Sequence, residues 1–79
     1  DSIVLEFTRQ KHKLNVKNED LFFKLIKDSF KQKRKTIKNN LKDYNLSKIE
    51  EVLLKNNMNL STRAEAIPIE VFVEIANSL

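Results

Sequence analysis

The chain contains no glycine. A Walker-type phosphate loop, a dinucleotide fingerprint and a glycine-rich cofactor loop all need backbone that approaches phosphate closely or takes positive φ. None of them can be built here. Cysteine is also absent, which excludes disulfides and thiolate metal sites and suits a reducing, cytoplasmic setting. The single histidine, His12, has no second histidine or thiol with which to share a metal. It reads as a solvent-exposed side chain between Lys11 and Lys13. No run of eighteen apolar residues exists, so no stretch reads as a transmembrane helix. No basic start followed by an apolar run marks a signal peptide. The first residue is Asp1, not methionine, and the chain reads as a piece cut from a longer protein. No set of side chains reads as catalytic.

What is present is charge, unevenly placed. Residues 1–43 hold 12 Lys and Arg against 6 Asp and Glu, and residues 44–79 hold 3 against 5. A basic half joined to a mildly acidic half predicts a one-sided surface for a polyanion. With 79 residues, 41% of them hydrophobic and 33% charged, the chain suits one small globular domain.

The charge concentrates in Phe30–Leu41. Lys31, Lys33, Arg34, Lys35 and Lys38 crowd together, and no acidic residue falls between Asp28 and Asp43. A solvated helix face ordinarily mixes signs at i,i+4. On a continuous helix Lys24, Lys27, Lys31, Lys35, Lys38 and Lys42 would form one stripe, with Phe22, Ile26, Phe30, Ile37 and Leu41 opposite. Arg34 would then fall on the apolar seam, where an unpaired charge is costly. The favoured escape is a helix break near Gln32–Arg34, with a second helix from about Lys35. The other is a packed stem with the guanidinium in water or on a phosphate.

In chain order, Asp1–Gln10 alternates with period two and predicts a strand. Such a lone strand is an association hazard, through residues 2–8. Residues 11–18 read as a linker, with Leu14 and Val16 tacking it to the body. Asn18 is placed to cap a helix over about 19–31, with Glu19 and Asp20 in its first turn. A second helix is expected over 35–43, ending at Tyr44-Asn45. Ser47-x-x-Glu50 predicts a capping box for a third, ending at Asn56-Asn57 because asparagine tolerates the left-handed conformation. Thr62-x-x-Glu65 predicts another box and one helical turn, which Pro68 ends. A fourth helix follows from Ile69 to about Asn77. The expected fold is all-α, a small bundle of about four helices behind a short strand-like arm.

Two stretches carry a resemblance. Phe30, Lys33, Arg34, Lys35, Thr36, Ile37, Asn39 and Leu41 fit the pattern F-x-x-[RK]-R-K-T-[LI]-x-N-x-L. Arg63, Ala64, Glu65, Ile67, Phe72, Ala76, Asn77 and Leu79 fit R-A-E-x-[LI] and a final helix ending in A-N-x-L. On these residues the chain resembles the C-terminal domain of the ribosomal RNA small-subunit adenine dimethyltransferases. Asp1-Ser2-Ile3-Val4 resembles the last strand of that family's catalytic sheet. The resemblance implies a parent enzyme that uses S-adenosylmethionine to dimethylate N6 of two adjacent adenines near the 3′ end of small-subunit rRNA. It implies that residues 1–10 are a remnant of the catalytic domain and 19–79 an rRNA-docking domain. The family's glycine-rich cofactor loop and target-base motif have no counterpart here, so this piece is expected neither to bind the cofactor nor to methylate. The family's docking residues carry over to Lys33, Arg34, Lys35 and Arg63. Lys33 departs from a common arginine, which keeps the charge but loses bidentate geometry. Pro68 stands where a serine or threonine cap is usual.

Lys31, Lys33, Arg34, Lys35, Lys38 and Arg63 are therefore the expected RNA-binding set, with small-subunit rRNA as partner and the piece itself a monomer. Contacts of this kind read phosphate and shape, not base sequence. For Arg63, an RNA contact and a structural pair with a carboxylate stand level. Glu65 reads as a capping and local pairing residue, Thr36 and Asn39 as structural, and Tyr44 as packed rather than stacked on a base. The other readings are an independent helical nucleic-acid module, which lacks a glycine-containing turn, and a protein-interaction bundle using the acidic half.

Overall fold

The computed structural model describes Leu5, Thr8, Arg9 and residues 14–79. The strand expected over residues 1–10 lies mostly outside the described residues, as do its association edge, His12 and the first part of the linker. Leu5, Thr8 and Arg9 have helical backbone, and no strand occurs among the described residues.

Four α-helices and one 3₁₀ turn make up the body. Helix α1 is Glu19–Ser29, capped by Asn18, whose side chain accepts from the Leu21 N–H at 3.1 Å. Helix α2 is the single turn Ile37–Asn40. Helix α3 is Leu46–Lys55. The 3₁₀ turn is Ala64–Ala66, and helix α4 is Ile69–Ser78. Helix α4 is the centre, and α1 and α3 pack against it. Its buried residues are Ile69, Val71, Phe72, Val73, Ile75 and Ala76, a broad apolar face, while Glu70, Glu74, Asn77 and Ser78 share the other side. A face this wide can be covered from two sides. Around it close Phe22, Leu25 and Ile26 of α1, Ile37 of α2, Leu41, and Ile49, Val52 and Leu53 of α3. The Phe30 ring lies 6.1 Å from that of Phe72.

Three expected boundaries are corrected. Helix α2 begins at Ile37, not Lys35, and ends at Asn40 rather than Asp43. Its first two N–H groups find acceptors in a distant segment, Ile37 on the Thr62 carbonyl at 2.9 Å and Lys38 on the Leu60 carbonyl at 3.1 Å. A local pattern carries no trace of such partners. The Ser47 capping box does not form. Asn45 caps α3, its side chain accepting from the Lys48 N–H at 3.4 Å, because starting there puts Leu46 against the core. Nor does the Thr62 box form. The Thr62 hydroxyl accepts from the Asn59 N–H at 3.3 Å, and the single turn after it is 3₁₀, without a side-chain cap.

The stop after α3 is as the sequence suggests. Asn57 takes φ of 62°. The Met58 N–H reaches the Leu53 carbonyl at 2.7 Å and the Asn57 N–H the Leu54 carbonyl at 3.1 Å. This is the double closure that normally uses glycine; a chain without glycine does it with asparagine. The described part of the linker is fixed to the last turn of α4. The Asn77 side chain accepts from the Lys17 N–H at 2.9 Å and donates to the Asn15 carbonyl at 2.7 Å, while Leu14 and Val16 pack on the core.

Candidate nucleic-acid interface

The cations of the first motif stand on the connection between α1 and α2. Helix α1 ends because its last residue, the buried Ser29, turns its hydroxyl back onto the Leu25 carbonyl at 2.7 Å, and Phe30 closes the end by reaching Ile26. Residues 32–35 then form a tight turn, the Lys35 N–H bonding the Gln32 carbonyl at 3.0 Å. The turn is held to α1 by Asn40. Its side-chain NH₂ donates to the Ser29 carbonyl at 2.9 Å and to the Gln32 carbonyl at 3.0 Å. Helix C-termini leave carbonyls without donors, and one amide here serves both the helix end and the turn.

The break therefore falls where the awkward Arg34 required it. Arg34 is exposed in the turn, and Ile37 and Leu41 behind it are fully buried. The continuous lysine stripe does not exist. Lys24 and Lys27 stay on α1, Lys31, Lys33 and Lys35 move into the connection, and Lys38 sits on α2. All six expected cations are exposed. Among the described residues none of the six has an ion-pair partner, whereas Lys24 pairs with Asp28 at 3.9 Å and Lys55 with Glu74 at 3.0 Å.

The structure brings Arg63 to this cluster. The two backbone bonds from Ile37 to Thr62 and from Lys38 to Leu60 lay the second motif beside the start of α2. Arg63 is the residue after Thr62, so its Cα lies one peptide unit, about 3.8 Å, from that junction. No carboxylate pairs with it among the described residues, and Glu65 is exposed. A turn at residues 59–62 aims the carbonyls, with the Asn59 side chain accepting from the Ser61 N–H at 2.8 Å.

Other singled-out residues have structural work. Asn39 donates to the Thr36 hydroxyl at 3.2 Å. Tyr44 donates to Asp28 at 2.6 Å, and the Lys24 ammonium lies 5.2 Å from its ring centroid. Burial first, then the Asp28 hydrogen bond and charge, push its phenol well above the ordinary value of 10.0. Sequence reasoning missed Asn40. The orphan carbonyls at a helix end call for a donor, but nothing in the pair Asn39-Asn40 says which of the two supplies it. Among the described residues no group of acidic, histidine or cysteine side chains could hold a metal ion, and no helix is long and apolar enough to cross a membrane.

Two motifs far apart in sequence thus meet through backbone hydrogen bonds. The chain matches a family model, ribosomal RNA adenine dimethylase, over residues 1–79. It belongs to that family. Among curated relatives, the dimethylase-family chain is 41% identical over 81 residues to ribosomal RNA small subunit methyltransferase A of Clostridioides difficile, covering 98% of this chain and 28% of that protein. The proteins of the same name from Oceanobacillus iheyensis and Fusobacterium nucleatum are 36% and 40% identical, over 99% and 92% of this chain and 29% and 28% of theirs. The chain thus spans less than a third of the length of these relatives. No solved structure matches it.

Proposed function

We propose that residues 19–79 form the rRNA-docking domain of an S-adenosylmethionine-dependent rRNA adenine N6,N6-dimethyltransferase that acts on two adjacent adenines near the 3′ end of small-subunit rRNA. In this reading the catalytic centre lies outside the 79 residues, and the domain positions the enzyme on the small ribosomal subunit. The cofactor has no fitting site here, because a chain without glycine offers no close-approach loop for its nucleoside. Family membership supports the reaction class.

The observation that carries the docking role is the pair of backbone bonds that lays the segment leading into Arg63 beside the start of α2, with Lys33, Arg34, Lys35, Lys38 and Arg63 all exposed and without carboxylate partners among the described residues. Lys31 completes the set. Unpaired cations keep their full attraction for phosphate. Arg34 and Arg63 have the fork that grips phosphate through two bonds, while the lysines act as point charges. Such a surface orders the protein on folded RNA by its phosphates.

The test is binding to small ribosomal subunits across a salt series. Six phosphate contacts give a slope of log K against log[salt] of about −4 to −5. Changing Lys33, Arg34, Lys35 and Arg63 together to alanine removes about three units of that slope, with helix content unchanged by circular dichroism. Equal binding by both proteins refutes the assignment. Binding that survives high salt points instead to a protein contact.

A further inference from the structure

Beside the turn at residues 32–35 lies a depression of about 260 Å³, open to solvent, between the turn and α2. Lys31, Lys35 and Lys42 stand on its walls, Gln32, Asn39 and Asn40 line it, and Asp43 lies on it as well. Lys42 belongs to neither matched motif. The two asparagines differ from the cations in what they offer. Asn39 spends one N–H on Thr36, and Asn40 spends both of its own on Ser29 and Gln32. Those bonds fix each amide and leave its Oδ1 as an acceptor with no partner among the described residues. The depression therefore pairs ammonium donors with fixed amide acceptors.

A phosphate chain alone explains the lysines and gives the acceptors nothing to do. An acceptor beside a phosphate site needs a donor attached to the same backbone. In a nucleic acid that donor is the ribose 2′-hydroxyl, which DNA lacks. A base amino group is the rival donor. It would need a base turned out of its stack, and among the described residues no aromatic side chain lines the depression to receive one. Asp43 also accepts, but its charge repels the neighbouring phosphate, so it opposes binding to RNA and DNA alike.

We propose that this depression holds a backbone phosphate on Lys31, Lys35 and Lys42 and accepts the adjoining ribose 2′-hydroxyl on Asn39 and Asn40, so that the surface selects RNA. The assignment rests on the docking role argued above. Asn39 is the residue to change, since Asn40 also holds the turn.

The experiment compares a short hairpin RNA with the same hairpin carrying 2′-O-methyl groups throughout. Methylation keeps the phosphates and the A-form helix and removes the donor. The native chain binds the unmodified hairpin about five-fold more tightly, as one or two hydrogen bonds allow. Asn39→Ala reduces that ratio towards one and leaves binding of the methylated hairpin unchanged. Lys42→Ala weakens both hairpins and lowers the salt slope by about one. Asp43→Asn strengthens both and leaves the ratio intact. Equal binding of the two hairpins by the native chain, with a steep salt slope, overturns hydroxyl recognition and leaves docking standing. A ratio that persists in Asn39→Ala overturns the role of this amide. Loss of salt-dependent binding to both hairpins overturns the docking role itself.

Discussion

Tyr44 is the chain's one tyrosine, and there is no tryptophan, so near-ultraviolet ionisation reports this phenol alone. Its folded value lies above the ordinary 10.0. A group raised on folding contributes its stability fully below the unfolded value and loses it as pH rises towards the folded one. The native protein is expected to hold its stability from neutral pH up to pH 10, as far as this group is concerned, and to lose it above that. Tyrosinate absorbance is expected to appear together with alkaline unfolding rather than before it. Tyr44→Phe removes the bond to Asp28, costs about 1 kcal/mol at neutral pH, and abolishes this part of the alkaline dependence. Urea titrations of both proteins at neutral pH and above pH 10 check this. At the opposite end of the pH scale Glu74 is held below its ordinary value, by its bonds to Lys55 and then Asn56. Its contribution is present above the unfolded value and fades as pH falls.

At the scale of elements, the junction of α1 and α2 depends on one amide. Asn40→Ala leaves the Ser29 and Gln32 carbonyls without their donor. The expected cost is about 1–2 kcal/mol in urea unfolding, with faster hydrogen exchange at the Lys35 N–H as the turn loosens. A purely electrostatic view of the loop predicts no change in either, since the substitution alters no charge. The same junction shows which features could be read from sequence. The break was legible as the favoured of two escapes, because Arg34 on an apolar seam is costly and a break frees it. Where α2 begins was not, because the acceptors for Ile37 and Lys38 come from Leu60 and Thr62. Capping was legible only where nothing competed. Asn18 caps α1 as expected, whereas the Ser47-x-x-Glu50 pattern lost to Asn45, which brings Leu46 into the core. Asn57 was legible because no glycine was there to take the left-handed position.

For the whole molecule the decisive element is α4. Phe72 is fully buried at the centre, and Phe72→Ala is expected to cost about 3–5 kcal/mol. A domain of this length has about 4–12 kcal/mol in total, so the variant stands at the edge of unfolding. Leu54→Ala, at a side chain 59% exposed, changes stability by less than about 0.5 kcal/mol. Thermal unfolding followed by circular dichroism separates the two. The all-α architecture and the basic half were legible from periodicity and charge. The meeting of Arg63 with the cluster at 31–38 was not, because it depends on tertiary backbone bonds.

The Asn77 side chain joins Asn15 and Lys17 across 62 and 60 positions of sequence. Bonds within a helix close loops of a few residues, but this one closes almost the entire body, and loop-closure entropy makes it among the last contacts to gain from forming. A contact that forms late is absent from the folding transition state and acts almost wholly on the rate of unfolding. Asn77 is thus a latch in the kinetic sense. It slows the opening of a finished domain and does nothing to hurry its assembly.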